Sequence, residues 1–225
     1  MLKSRWLTIY AFTLLADLVL VGLRMDSYRY ATKPLLTIIL AAYVISSAGS
    51  MPIVFRRFLL LALLFSLGGD VLLMFEAPAC FLYGLGSFLL AHVMYIFFFL
   101  KIRYSGSHPP LCRYPLIFLN VIYLLAFLVF MFPMLGSLKI PVIIYAITIF
   151  VMVQSVLHAF HFRQEPEGWY CIIGAVLFML SDTLIATGKF YHPLPANGLL
   201  VMLTYGLAQL GLVYGAVKFF TPVEK

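Results

Sequence analysis

The sequence predicts an all-α, polytopic membrane protein of about eight transmembrane helices, and three observations predict it. Hydrophobic residues make up 64% of the 225 and charged residues only 10%, spread from end to end, so no water-soluble domain of ordinary size accommodates them. Apolar runs long enough to cross hydrocarbon alternate with short polar segments along the chain. The 15 Lys and Arg lie between those runs and form no basic block or aromatic-spaced stripe, so the net charge of +7 reads as a topology signal rather than a nucleic-acid surface. Cys80, Cys112 and Cys171 have no CxxC spacing and imply neither a disulfide framework nor a zinc site.

The elements follow in order, as a single transmembrane domain over residues 1–225. Trp6 to Gly22 is the first span; it carries Asp17 and no small-residue cleavage pattern follows it, so it reads as a mature helix rather than a signal peptide. Arg24 to Lys33 reads as a polar loop, after which Pro34, at the position where a missing amide proton costs least, opens the second span, 34–48. Gly49, Ser50 and Pro52 end it, Arg56 and Arg57 mark an interface, and the third span is 58–75. Glu76, Ala77 and Pro78 make a short turn, with Glu76 solvated near the interface, and the fourth span is 81–100. The most polar connection, Lys101 to Arg113 with Pro109 and Pro110, divides the chain almost in half. Spans five to eight are 114–132, 140–158, 169–187 and 196–219, with Trp169, Tyr170, Tyr191 and Tyr214 as interfacial aromatics.

Counting Lys and Arg alternately across these spans sets the orientation. Lys3, Arg5, Arg56, Arg57, Lys101, Arg103, Arg113, Arg163, Lys218 and Lys225 fall on one side; Arg24, Arg29, Lys33, Lys139 and Lys189 fall on the other. The richer side is expected to be cytoplasmic, with both termini there.

Two segments carry acids inside apolar runs: LFSLGGDVLLMF, Leu64 to Phe75, with Asp70, and VLFMLSDTLIAT, Val176 to Thr187, with Asp182. A carboxylate at that depth costs about 2.5 kcal/mol or more and persists only with a partner or a task. Asp70 and Asp182 are 112 residues apart, close to half the chain, and sit at matching depths of odd-numbered spans, which indicates a weak four-plus-four internal repeat. The two acids meet only if helices three and seven are neighbours. The small residues Ser66, Gly68 and Gly69 before Asp70 also suit close helix packing, the structural alternative for that acid.

Other polar residues at depth are fewer. His92 lies mid-span with Phe88 and Tyr95 one turn away, and Tyr205 and Gln209 stand at i and i+4 in span eight. Each of these serves equally as interhelical glue. Lys33 is a candidate for a lipid phosphate, against interfacial snorkelling. His158 and His161 end span six without a third ligand at useful spacing, and His108 and His192 are loop residues without a role.

GGDVLLM (Gly68 to Met74), the set Phe81, Gly84, Phe88, His92 and Tyr95, GAVLFMLSD (Gly174 to Asp182) and TYGLAQ (Thr204 to Gln209), in this order, resemble the YhhN family of integral membrane lysoplasmalogenases. The resemblance covers about Lys33 to Gln209 and leaves Asp17 outside. It implies cleavage of the vinyl ether bond of 1-alkenyl lysophospholipids, giving a fatty aldehyde and a glycerophosphoethanolamine or glycerophosphocholine, with no cofactor. Lys33, Asp70, His92, Asp182, Tyr205 and Gln209 match the family pattern. Enol ether hydrolysis needs an acid, a base and a water, without metal or covalent nucleophile. Two carboxylates in a poorly hydrated cavity do not both ionise cheaply, so the expectation is an Asp70 and Asp182 dyad with one protonated acid and one carboxylate that orients water. Lys33, His92, Tyr95, Tyr205 and Gln209 are then expected to bind substrate or hold the acids.

Two other classes remain open from the residues alone. A proton- or cation-coupled transporter, or a lipid-translocating protein, uses paired intramembrane acids and a repeat in the same way. A metal-dependent membrane amidase or ceramidase would bind zinc and lose activity to a chelator.

Overall fold

The computed structural model describes residues 2–75, 77–106, 112–161 and 165–221, and the side chains of all of these except residues 2–4. Glu76, His108, the Pro109 and Pro110 pair, Arg163, Lys225 and the side chain of Lys3 lie outside the described residues. The described residues form eight long helices: α1 (Leu2–Gly22), α2 (Asp26–Ser47), α3 (Ile53–Leu72), α4 (Pro78–Ser105), α5 (Tyr114–Met131), α6 (Lys139–Leu157), α7 (Gly168–Phe190) and α8 (Asn197–Phe220). Two 3-10 turns, Phe132–Met134 and Gly136–Leu138, join α5 to α6. Seven helices are long and apolar enough to cross a membrane; α3, which carries Arg56, Arg57 and Asp70, is the eighth.

Helix α3 begins at Ile53 rather than 58, so Arg56 and Arg57 lie within it, and α4 runs to Ser105, into the connection expected from Lys101; the start of α2 departs from the sequence reading most instructively. Residues 26–33 are helical, so the polar stretch expected as a loop belongs to α2 and Pro34 lies inside that helix. Two of the polar residues, Arg29 and Thr32, face α1. Thr32 Oγ1 donates to Asp17 Oδ1 at 2.5 Å, and Arg29 Nε lies 3.7 Å from the same oxygen, which brings the buried Asp17 a cation and a hydrogen bond. Pro34 removes one helical hydrogen bond, a loss that transmembrane helices tolerate when neighbouring helices hold the segment.

The helices pack in sequence order, α1 on α2, α2 on α3 and α3 on α4, then α5 on α6, α6 on α7 and α7 on α8. Contacts of α4 with α6, and of α8 with both α1 and α2, close seven helices into a ring. Helix α5 stands outside it, packed mainly on α6 with most of its surface exposed. The pairings of α1 to α4 reappear in α5 to α8, and the cross-half contact of α4 with α6 has its counterpart in α8 with α2.

Small residues set the closest approach. A Cβ on Gly174 of α7 would stand 2.6 Å from the backbone nitrogen of Leu212, and one on Gly211 of α8 would stand 2.8 Å from the carbonyl oxygen of Tyr170. Backbone therefore meets backbone across α7 and α8, the contact that only glycine permits.

Candidate active site

The polar residues in the ring form two clusters, one around each acid. Asp70 is completely buried. Its Oδ2 accepts hydrogen bonds from Thr37 Oγ1 at 2.8 Å and Tyr205 OH at 2.7 Å, and its Oδ1 lies 3.5 Å from Lys33 Nζ. Gln209, one turn from Tyr205, extends the network: its Nε2 donates to Ser66 Oγ at 2.9 Å and its Oε1 accepts from Tyr95 OH at 2.8 Å. Helices α2, α3, α4 and α8 are thereby tied through one set of side chains. Of the residues singled out in the sequence, Lys33, Asp70, Tyr95, Tyr205 and Gln209 come together here.

Asp182 belongs to the second cluster, with His92. Its Oδ2 accepts from Tyr145 OH at 2.8 Å, and His92 Nε2 lies 3.8 Å away. The His92 ring is fully buried, edge-on to Tyr145 and Phe178 with centroids 5.5 and 4.7 Å away. Beside Asp182, Thr183 pairs with Tyr123 OH at 2.5 Å, a bridge from α7 to the outlying α5.

No hydrogen bond or ion pair joins the two carboxylates, and no side chain among the described residues bonds to both. Aromatic rings lie between the clusters. Phe88 and Phe178 pack edge to face with each other and with Tyr205, and Phe178 then meets His92. Gly69, next to Asp70, makes room for this wall: a Cβ there would fall 2.4 Å from the Phe88 ring.

The clusters are related by the repeat. Residue numbers 182 minus 70 and 145 minus 33 both give 112, and 205 minus 92 gives 113. Each acid thus has one partner on the second helix of its own half and one on the fourth helix of the other half. Tyr145 stands where Lys33 stands, and His92 close to where Tyr205 stands.

Their surroundings differ. Asp182, Tyr145 and Phe88 line a cavity between α4, α6, α7 and the outlying α5, with an empty volume of about 740 Å³, opening included. It is lined almost wholly by apolar side chains with a few polar groups. Asn120 on α5 is one of them; its Nδ2 faces the Phe150 carbonyl at 3.5 Å and its buried Oδ1 accepts no hydrogen bond. The Asp182 side chain is 10% exposed and Asp70 not at all. Neither Asp70 nor Lys33 lines the cavity.

Thr37, Asn120, Tyr123, Tyr145 and Thr183 escaped the sequence reading, because a hydroxyl or amide in an apolar helix is unremarkable, and Ser66, expected only as a small packing residue, accepts a hydrogen bond from Gln209. The offset of 112 from Lys33 was the available signal for Tyr145. Among the described residues no three His, Cys, Asp or Glu side chains converge as metal ligands.

A mycobacterial protein named lysoplasmalogenase, from Mycobacterium bovis, is 32% identical over 163 residues, covering 71% of this chain and 60% of that protein. Human lysoplasmalogenase TMEM86B is 32% identical over 164 residues, 73% of this chain and 64% of the human protein. The rat protein of that name is 28% identical over 186 residues, 83% of this chain and 71% of its own. The chain spans less than two thirds of the mycobacterial and human relatives. No solved structure matches it. The model of the YhhN family matches residues 28–216, which contain both acid clusters and the cavity, and the chain belongs to the YhhN family.

Proposed function

We propose that this chain hydrolyses the vinyl ether bond of 1-alkenyl lysophospholipids, releasing a fatty aldehyde and a glycerophosphoethanolamine or glycerophosphocholine. The observation that carries this reading is Asp182, held by Tyr145 on the wall of an otherwise apolar cavity. A single-chain lipid supplies the apolar tail that such a cavity accepts, and the only chemistry required is proton transfer. The names of the relatives support the substrate class.

The reaction balances without any further reagent. The Asp182 carboxyl gives its proton to the outer carbon of the double bond, and the π electrons leave an oxocarbenium ion at the carbon bonded to oxygen. The resulting carboxylate faces that cation and stabilises it. Water adds to the cation and returns a proton to the carboxylate, giving a hemiacetal. Proton transfer to the ether oxygen and from the hydroxyl then breaks the carbon–oxygen bond, which yields aldehyde and alcohol. Tyr145 orients the carboxyl through its 2.8 Å hydrogen bond, and His92 flanks it. Asp70 acts as a positioning residue: with Lys33 and Thr37 it fixes Tyr205, whose ring braces Phe88 and Phe178 behind the cavity. The expected dyad thus becomes two acids with separate tasks.

The test is aldehyde release by the purified chain in detergent, from a 1-alkenyl lysophospholipid and from its saturated 1-alkyl counterpart, with and without chelator. Release from the alkenyl lipid alone, unaffected by chelator, supports the reading; absence of release by folded protein refutes it. The repeat-related acids favour one second reading, a proton- or cation-coupled transporter. That activity requires a sealed bilayer and would appear as flux in proteoliposomes.

A further inference from the structure

We infer that Lys139 and Lys189 form the phosphate subsite of the cavity, which orients a lysophospholipid with its headgroup between them and its chain running inward past Asp182. The inference rests on the hydrolase reading of the cavity and adds to it the group that recognises the anion. Lys33, the basic residue expected to meet phosphate, is unsuited to it here, because its ammonium already lies 3.5 Å from the buried Asp70 carboxylate.

The cavity has two distinct ends. Phe81 in the first turn of α4, Val142 in the first turn of α6 and Phe190 at the last position of α7 line one end. Asn120, Ile149, Phe150 and Met179 line the other, deeper end. The helices alternate in direction, so the beginning of α6 and the end of α7 lie side by side at the first of these ends. Lys139 opens α6 and Lys189 is the penultimate residue of α7.

Neither lysine lines the cavity itself; each stands beyond its end, in helical register with lining residues of its own helix. Lys139, Val142 and Ala146 are spaced i, i+3 and i+7, and the latter two line the cavity. Asp182, Ala186 and Lys189 are spaced i, i+4 and i+7, and again the first two line it. Lys189 Nζ lies 4.7 Å from the ring centre of Phe81, itself a lining residue, and Lys139 Nζ lies 4.4 Å from that of Phe132. Lys189 is solvent-exposed, Lys139 partly so, and neither has an ion pair among the described residues.

The spacing matches the ligand. Seven residues of α7 separate Asp182 from Lys189, about 10 Å along the axis. In a lysophospholipid, five single bonds join the ether oxygen to phosphorus, about 6 Å when extended. An ammonium on a phosphate oxygen adds about 4 Å beyond phosphorus. The side chain of Lys189 leans toward the N-terminus of its helix, and so toward Asp182, which leaves slack to close the contact. Two ammonium groups act here as point charges on a phosphodiester and leave the identity of the headgroup alcohol free.

The same chemistry would let the pair hold the phosphate of a bulk bilayer lipid, and the experiment separates the two sources. Aldehyde release is measured in detergent from a 1-alkenyl lysophospholipid and from 1-alkenylglycerol, which keeps the vinyl ether and lacks the phosphate. The readout is the ratio of kcat/KM for the two lipids. In Lys139→Gln and Lys189→Gln this ratio is expected to fall about tenfold each, chiefly through KM of the phospholipid, with Lys189→Arg retaining it. Lys218→Gln, at the end of α8, serves as the remote control and keeps the wild-type ratio. A ratio unchanged in both glutamine variants overturns the subsite, whether activity stays or falls on both lipids together, since anchoring to bulk lipid affects both substrates alike. Aldehyde from neither lipid with wild-type protein overturns the hydrolase reading, and the subsite with it.

Discussion

Replacing Gly174 by alanine tests the packing on which the whole site depends. The added Cβ would stand 2.6 Å from Leu212 N, 2.8 Å from Ala208 O and 3.0 Å from the carbonyl carbon of Gly211, all backbone atoms. Ordinary contact begins at 3.4 Å, so α7 and α8 must part by about 0.8 Å, because no side chain can swing aside. A gap of that size forfeits about a quarter to a half of the dispersion energy of each contact it opens, and α7 with α8 is the most extensively packed pair in the molecule. The expected cost is about 2 kcal/mol, in the range for overpacked cores, or a melting temperature lower by about 5 °C in detergent. Gly86→Ala supplies the control: Gly86 lies within α4 with nothing within 4 Å of its Cβ position, and alanine there stabilises by up to about 1 kcal/mol. Thermal unfolding of both variants beside the wild type decides the matter. A Gly174→Ala protein that melts with the wild type would refute the claim that backbone contact limits this interface.

Further outcomes follow from the two clusters. Asp182→Asn should lower kcat for aldehyde release by about a hundredfold or more, the range for loss of a general acid, whereas Asp70→Asn should act mainly through stability. Lys33→Met and Asp70→Asn should each destabilise by about 3 kcal/mol, because each leaves a charge without its partner, and the double variant should recover much of the loss in a denaturation series. Tyr145→Phe removes the hydrogen bond on Asp182 and should cut kcat about tenfold while changing stability by about 1 kcal/mol. Gly69→Ala displaces the Phe88 ring that walls the cavity, and KM for the lipid should rise more than the melting temperature falls.

The helices were legible because a bilayer demands a long apolar run for each crossing, and both acids were legible because a charge inside such a run is costly. Polar residues 24–33 mislead for the opposite reason: polarity implies solvation, while Arg29 and Thr32 are turned toward Asp17 on α1. The apartness of the two acids could not be read, since the sequence carries depth along each helix but not which helices adjoin. Nor could the exterior place of α5, whose apolar faces look alike whether they meet protein or lipid. Tyr145 shows the kind of signal that lay between these extremes, hidden as one hydroxyl among many yet 112 residues after Lys33.

The exchange of partners between halves bears on how this chain can be divided. The first four helices alone would carry Asp70 with Lys33 and Thr37 but without the Tyr205 hydroxyl, and the last four would carry Asp182 with Tyr145 but without His92. Each half thus supplies a partner to the acid of the other. Cutting the chain within its central connection should therefore give two pieces that are inert apart and regain their fold when made in the same membrane, like the two chains of an obligate dimer. Symmetry here is a form of mutual dependence.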